Sequence, residues 1–210
     1  SAASDVYKRQ ISRGIPIAKA MTDNILIAFE VNGGPLHPMN GAPLRLVVPG
    51  WPASTAQKWL NRIELRDQVH DGPKMTGKAY RVPAYKVAPG QKVPTEDFVI
   101  IERMPVKSLV TFPANNTEVR GHAWSGDRTV RTVEISTDFG ATWMAAELDQ
   151  PVNSGAWQNW RANVSFPKAG YYEVWARATD SEGVMQPFAI DWNPKGYLNN
   201  TMHRVGVRAS

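Results

Sequence analysis

The sequence predicts a mainly β protein ending in an immunoglobulin-like β-sandwich, and three observations predict it. Seven short segments after Lys107 carry strand-like patterns, turn residues separate them at regular spacing, and about seven such strands in roughly a hundred residues is the pattern of that sandwich class. The third is the pair of apolar runs in the first part of the chain, Ile25 to Phe29 and Leu44 to Val48, which also read as strands.

Ile15 to Ala20 reads as a short helix or turn, and Ile25-Leu26-Ile27-Ala28-Phe29 is continuously apolar, as in a strand buried on both faces. Gly33-Gly34-Pro35 breaks it. Leu44 to Val48 is a second apolar strand, stopped by Pro49-Gly50, and Trp59 to Leu65 alternates as a third. Three such strands do not close a domain, so their faces and edges are expected to be exposed and prone to aggregation. From Arg66 to Pro105 the chain is poor in periodicity and rich in Pro, Gly and Lys. It reads as a connecting arm, part of which should lie against a neighbouring surface.

The sandwich strands are expected at Ser108–Phe112, Glu118–Trp124, Val130–Ser136, Trp143–Glu147, Gln158–Val164, Gly170–Thr179 and His203–Arg208. Val133 and Ile135 alternate with Glu134 and Ser136, and Tyr172, Val174 and Ala176 with Glu173, Trp175 and Arg177. Trp124, Trp143 and Trp175 are expected to fill the space between sheets. Trp51 and Trp192 adjoin Pro/Gly turns, where a ring can cover a cleft or an interface.

Composition excludes several chemistries. The chain has no Cys, so it offers no thiolate nucleophile, no thiolate ligand for a metal and no thiol redox couple. No run of eighteen apolar residues spans a membrane, and Ser1 to Gln10 lacks the apolar core of an export signal. The net charge of +5 lies in the first half: residues 1–105 hold 14 Lys and Arg against 9 Asp and Glu, and the remainder is balanced. No basic run is interleaved with aromatics, so a nucleic-acid partner is not expected. The four histidines, at 37, 70, 122 and 203, show no metal-ligand spacing, and no P-loop, G-x-S-x-G or G-x-G-x-x-G occurs. One segment, Asp191 to Tyr197, places Lys195 between Pro194 and Gly196 on a short stiff loop, where a cation can meet a small anion.

Several stretches, in the right order, resemble the molybdenum-cofactor sulfite oxidases and the bacterial sulfite dehydrogenases. GIPIAKAM (14–21), IAFEVNGGPL (27–36), NGAPLRLVVPGW (40–51) and KWLNRIEL (58–65) resemble the end of the family's molybdopterin domain. VHDGPKMTGKAYRVP (69–83) resembles the arm of bacterial members. RGHAWSGD (120–127), STDFGATW (136–143), RATDSEGVMQP (177–187) and WNPKGYLNNTMHRV (192–205) resemble its C-terminal dimerisation domain. The resemblance divides the chain into residues 11–66, the last strands of an α+β molybdopterin-binding domain; 67–105, an arm; and 106–210, the dimerisation domain. Residues 1–10 do not resemble the family and read as a foreign leader.

The resemblance implies a molybdenum-molybdopterin cofactor bound through a protein cysteine that this chain lacks, so only the C-terminal part of the enzyme is matched and activity of this chain alone is not expected. It implies oxidation of sulfite to sulfate by oxygen-atom transfer, with electrons passed to a cytochrome c, in a homodimer of periplasmic location. Phe29 stands where animal members carry a tyrosine, keeping the ring and losing the hydroxyl. Lys195 stands at the arginine of the family's Asn-Leu-Arg-Gly, keeping the charge and losing the two-pronged donor geometry. Ser12, Arg13 and Gly14 are the residues the resemblance places at the pterin. These departures leave two alternatives within the enzyme class, a sulfane dehydrogenase and a reductase of other oxyanions. A non-catalytic β-sandwich assembly module is a third.

Overall fold

The structure is a computed structural model and describes residues 12–72, 75–113, 118–153 and 155–209. The leader expected at 1–10 lies outside the described residues. The chain divides into two compact units, one of residues 1–102 with 191–197, the other of residues 103–190 with 198–210.

In the first unit, α1 (Ile17–Ala20) follows Pro16, whose missing N–H is no loss at a helix start. β1 (Leu26–Ala28), β2 (Glu30–Val31), β3 (Gly34–Pro35) and β4 (Arg45–Val47) make two small antiparallel pairs, β1 with β4 and β2 with β3. β5 (Arg81–Pro83) and β6 (Phe98–Ile100) pair as well, above a small core of Val87, Val93 and Phe98. The Pro- and Gly-rich arm therefore has a hairpin and a core of its own within this unit. The reading of Ile25 to Phe29 as a strand buried on both faces is corrected. β1 has one neighbour among the described residues, and Leu26 and Ile27 are 53% and 49% exposed. Val31 of β2 is exposed too, and so are Met39, Ile63 and Leu65 outside the strands. The third strand expected at Trp59 to Leu65 does not form. Trp59 N–H donates to Gly41 and Leu60 N–H to Leu44, after which no ladder continues, and alternation without a partner edge makes no strand.

The second unit holds β7 (Lys107–Pro113), β8 (Glu118–Trp124), β9 (Val130–Ser136), β10 (Met144–Ala145), β11 (Glu147–Leu148), β12 (Gln158–Asn163), β13 (Gly170–Asp180) and β14 (His203–Ala209). They form two antiparallel four-stranded sheets, ordered β10-β9-β13-β14 and β11-β12-β8-β7. Alternate residues face a common core: Val119 and Ala123 from β8, Val133 and Ile135 from β9, Trp160 and Ala162 from β12, Val174, Ala176 and Ala178 from β13. The segment expected as one strand at Trp143–Glu147 is two. Met144 and Ala145 pair with β9, whereas Glu147 and Leu148 pair with β12, so the chain crosses between the sheets at Ala146.

The tryptophan expectation also needs correction. Trp160 is the indole buried among the core residues. Trp175 shares the opposite face of β13 with Arg177 and is buried there under Arg204, whose guanidinium lies 4.7 Å from its ring centre, and beside Phe139 and Phe188. Trp143 is half-buried below the Arg177 guanidinium at 3.8 Å, and Trp124 is half-buried.

The turn between β9 and β10 is closed by its own side chains. Asp138 accepts from Ser136 Oγ, Thr142 N and Thr142 Oγ1, at 2.7, 2.9 and 2.6 Å, and Gly140, at φ +85°, donates to Ser136 Oγ. The bonds from Thr142, then Ser136, hold the Asp138 carboxyl down to about 2. A folded-state pKa below the unfolded value means that this stabilisation is complete above about pH 4 and is lost as pH falls toward 2. Asp138→Asn is therefore expected to flatten the acid limb of a thermal-stability profile between pH 4 and 2. An unchanged acid limb would contradict this.

Candidate functional site

The residues singled out from sequence all fall in the first unit. Ser12 Oγ lies 2.7 Å from Nε2 of His70, whose Nδ1 lies 3.1 Å from a guanidinium nitrogen of Arg66. Arg66 only donates, so His70 Nδ1 accepts, and its Nε2–H donates to Ser12 Oγ. His70 therefore has no lone pair to take a proton from Ser12, which rules out a serine-histidine nucleophile. Arg66 is held in turn by Asp71 at 2.7 Å. Gly14 is demanded by the same histidine, since a Cβ there would lie 2.6 Å from His70 Cβ.

Arg13 donates to Met75 Sδ at 2.8 Å and to the Ile101 carbonyl at 3.3 Å, and its guanidinium lies 5.2 Å from the ring centre of Tyr80. Burial lowers its pKa, with the Arg81 charge acting in the same direction. Its Nε is buried without a hydrogen-bond partner, and no carboxylate pairs with it among the described residues.

Lys195 sits on a loop shaped by Asn193. Asn193 Oδ1 accepts from the N–H groups of Lys195 and Tyr197, at 3.2 and 3.1 Å, and its Nδ2 donates to the Tyr197 carbonyl. Gly196, at φ +66°, allows the reversal. The Lys195 side chain is exposed, and its ammonium has no partner among the described residues. Tyr197 stacks on Tyr80 with ring centres 6.1 Å apart and planes 22° from parallel, and its hydroxyl accepts from Tyr80 N–H at 3.4 Å.

Phe29 lies between β1 and β2, 63% exposed, with its carbonyl accepting from Leu36 N–H. No hydrogen bond or ring contact joins it to Lys195 among the described residues. The structure thus links Arg13, through Tyr80 and Tyr197, to the Lys195 loop, and leaves Phe29 apart. Tyr80, Asn193, Tyr197 and His70 were not singled out for these roles from sequence. A hint was available for Asn193, because an Asn side chain in a Pro/Gly loop commonly bonds the backbone two residues on.

Taken alone, these residues do not fit a molybdenum centre. The chain has no cysteine to supply a thiolate, no group of three His, Asp or Glu converges among the described residues, and Arg13 and Ser12 bond within the chain.

Residues 1–74 match a family model described as the oxidoreductase molybdopterin binding domain, and residues 97–210 match the Mo-co oxidoreductase dimerisation domain. The chain is 34% identical over 229 residues to mitochondrial sulfite oxidase of Homo sapiens, covering 99% of this chain and 41% of that protein. It is 29% identical to nitrate reductase [NADH] 2 of Phaseolus vulgaris, covering 95% of this chain and 25% of that protein. The sulfane dehydrogenase SoxCD from Paracoccus pantotrophus superposes with a TM-score of 0.75 at 25% identity, over 92% of this chain and 51% of the other. The chain spans about two-fifths of the length of the sulfite oxidases it matches. With one family domain matched before residue 75 and the other over more than half of the chain, this protein belongs to the molybdenum-cofactor oxidoreductases of the sulfite oxidase family.

Proposed function

We propose that this chain serves a molybdenum-dependent enzyme that oxidises sulfite to sulfate and passes the electrons to a cytochrome c. In this reading Lys195 draws in the sulfite dianion and Phe29 lines the pocket and excludes water. The cysteine-bearing cofactor site lies outside this chain, and the chain alone is inactive. The carrying observation is the Lys195 ammonium, unpartnered among the described residues on a loop whose shape Asn193 fixes. An uncompensated cation on a loop of set shape suits capture of a small oxyanion. Dimerisation through residues 97–210 and a periplasmic location complete the proposal. The first is supported by the matched dimerisation domain and the second by resemblance to bacterial members.

A sulfane dehydrogenase is the second reading, favoured by the structural likeness to SoxCD and by lysine in place of the two-pronged arginine. The test uses the full-length enzyme, loaded with cofactor, and measures cytochrome c reduction with sulfite or thiosulfate as donor. Lys195→Ala is expected to lower kcat/KM for sulfite about thirty-fold, through a higher KM, as removal of a charged contact of about 2 kcal/mol predicts. Lys195→Arg is expected to stay within a few-fold of the parent. No sulfite turnover in a molybdenum-loaded enzyme would overturn the sulfite reading, and turnover with thiosulfate instead would select the second.

A further inference from the structure

The Lys195 loop has a shape of its own but no position of its own. Asn193 closes the loop on itself, and every bond it makes is to the loop backbone. The first tie to the rest of the unit is the Lys86–Asp191 ion pair, 3.1 Å long and exposed at both ends, the kind that contributes little in water. The second is the Tyr197 ring on Tyr80.

Tyr80 is unusually constrained for a residue in a surface arm. Its φ of +56° lies in the left-handed region that a bulky side chain rarely adopts. Two backbone bonds hold it there: its carbonyl accepts from Ile101 N–H at 3.1 Å, and its own N–H donates to the Tyr197 hydroxyl. Arg13 caps its ring, and Arg13 is anchored to the same Ile101, through the carbonyl, and to the buried sulfur of Met75. Three stretches distant in sequence, at 13, 75–101 and 193–197, are thereby stacked guanidinium on ring on ring. The loop that carries Lys195 is the last member of the stack. Unusual backbone conformations persist where the surroundings enforce them, and at functional sites the enforced conformation is often what the chemistry needs.

We propose that Arg13, Tyr80 and Tyr197 are positioning residues that set the Lys195 loop for capture of a small oxyanion, and that Arg13 acts here and not as a contact to the pterin. The proposal rests on the role given to Lys195 above. Tyr197→Leu removes the ring and the hydroxyl, leaving Lys195 present and misplaced; Tyr197→Phe keeps the stack and removes one long hydrogen bond.

The test has a kinetic arm and a binding arm, both on the full-length, cofactor-loaded enzyme. In the first, Tyr197→Leu is expected to raise KM for sulfite about ten-fold with kcat within two-fold. Tyr197→Phe restores KM to within about two-fold of the parent. Tyr197→Leu is expected to add nothing further when Lys195 is already alanine, because the ring acts only through that lysine. In the second arm, sulfate added to the enzyme raises its melting temperature. Lys195→Ala and Tyr197→Leu each abolish that shift, and Arg13→Gln weakens it while molybdenum content stays at the parent level. An unchanged KM in Tyr197→Leu, an equal loss in the Lys195→Ala background, or loss of molybdenum in Arg13→Gln would each overturn the proposal. No sulfite turnover, together with a sulfate shift that still depends on Lys195 and Tyr197, would sink the sulfite reading and leave the stack standing. No sulfate shift in the parent would sink the stack.

Discussion

Gly121→Ala is expected to abolish folding of the sandwich, although it adds one methyl group. Gly121 lies in β8 between Val119 and Ala123, on the face turned to the core, where the Trp160 indole lies against the strand. A Cβ at this position would overlap the Leu109 carbonyl oxygen and sit 2.5 Å from Cε2 of the Trp160 ring. The carbonyl belongs to paired backbone in β7 and cannot retreat without opening the β7–β8 ladder. The indole, 2% exposed, is enclosed by the core and moves only by displacing close-packed neighbours. Ordinary overpacking costs about 1–3 kcal/mol. Here a ladder must open as well, so the loss approaches the whole of a typical domain stability of about 5–15 kcal/mol. Circular dichroism and the solubility of the expressed variant check this. A soluble Gly121→Ala protein melting within about 5 °C of the parent would show that the ring and β7 can yield. The compensating variant Gly121→Ala with Trp160→Leu is expected to recover part of the fold, because it removes one of the two obstacles.

The sandwich was readable because its signal is local. β8 and β9 begin and end at the residues where alternation begins and ends, and β12, β13 and β14 differ from the pattern by a residue or so. What failed needed a partner to be known. The alternation of Trp59 to Leu65 is as regular as that of β9, yet no strand forms, because pattern selects a face and only a neighbouring edge makes a ladder. Met144 and Glu147 read as one run because crossing from one sheet to the other leaves no mark in hydrophobicity. Size alone puts Trp175 between the sheets. Its register with Arg177 already put it on the outer face of β13, and burial there comes from Arg204 and Phe188, which sequence separation hides.

The candidate site divides in the same way. Lys195 and its stiff loop were legible in Pro194 and Gly196, whose backbone preferences are local. That the loop belongs with the first unit, through Tyr197 and Tyr80, is a contact across 117 residues with no periodic signature. Resemblance to the family places Ser12, Arg13 and Gly14 at the pterin. The structure turns Ser12 and Gly14 to His70 and Arg13 to Met75, Ile101 and Tyr80. A short polar motif reveals its donors and says nothing of which acceptor they meet.

Gln186→Leu is the substitution expected to cost the sandwich most after Gly121→Ala, and its cause is polar where that one is steric. The Gln186 side chain is fully buried. Its Oε1 accepts from Ser108 N–H, Ser108 Oγ and Ala178 N–H at 3.0, 2.8 and 3.1 Å, and its Nε2 donates to the Thr201 carbonyl at 2.8 Å. One amide thus joins β7, β13 and the segment entering β14, which otherwise belong to two different sheets and a loop. Leucine has nearly the same volume, so no cavity opens, and the loss isolates the hydrogen bonds. Two backbone N–H groups, a serine hydroxyl and a carbonyl lose their partner in a region closed to water. Each orphaned buried group costs about 1–3 kcal/mol, and with some relaxation a total of about 4 kcal/mol is expected. For a chain of this size that lowers the melting temperature by roughly 8–16 °C. Gln186→Glu separates the two halves of the amide. It keeps an acceptor for Ser108 and Ala178 but turns an ionised oxygen on the Thr201 carbonyl, so its defect is expected to shrink as pH falls and the carboxyl protonates. Calorimetric melts of the three proteins at pH 7 and pH 5 test both statements. A Gln186→Leu variant as stable as the parent would mean that the amide bridges nothing the sheets do not already hold.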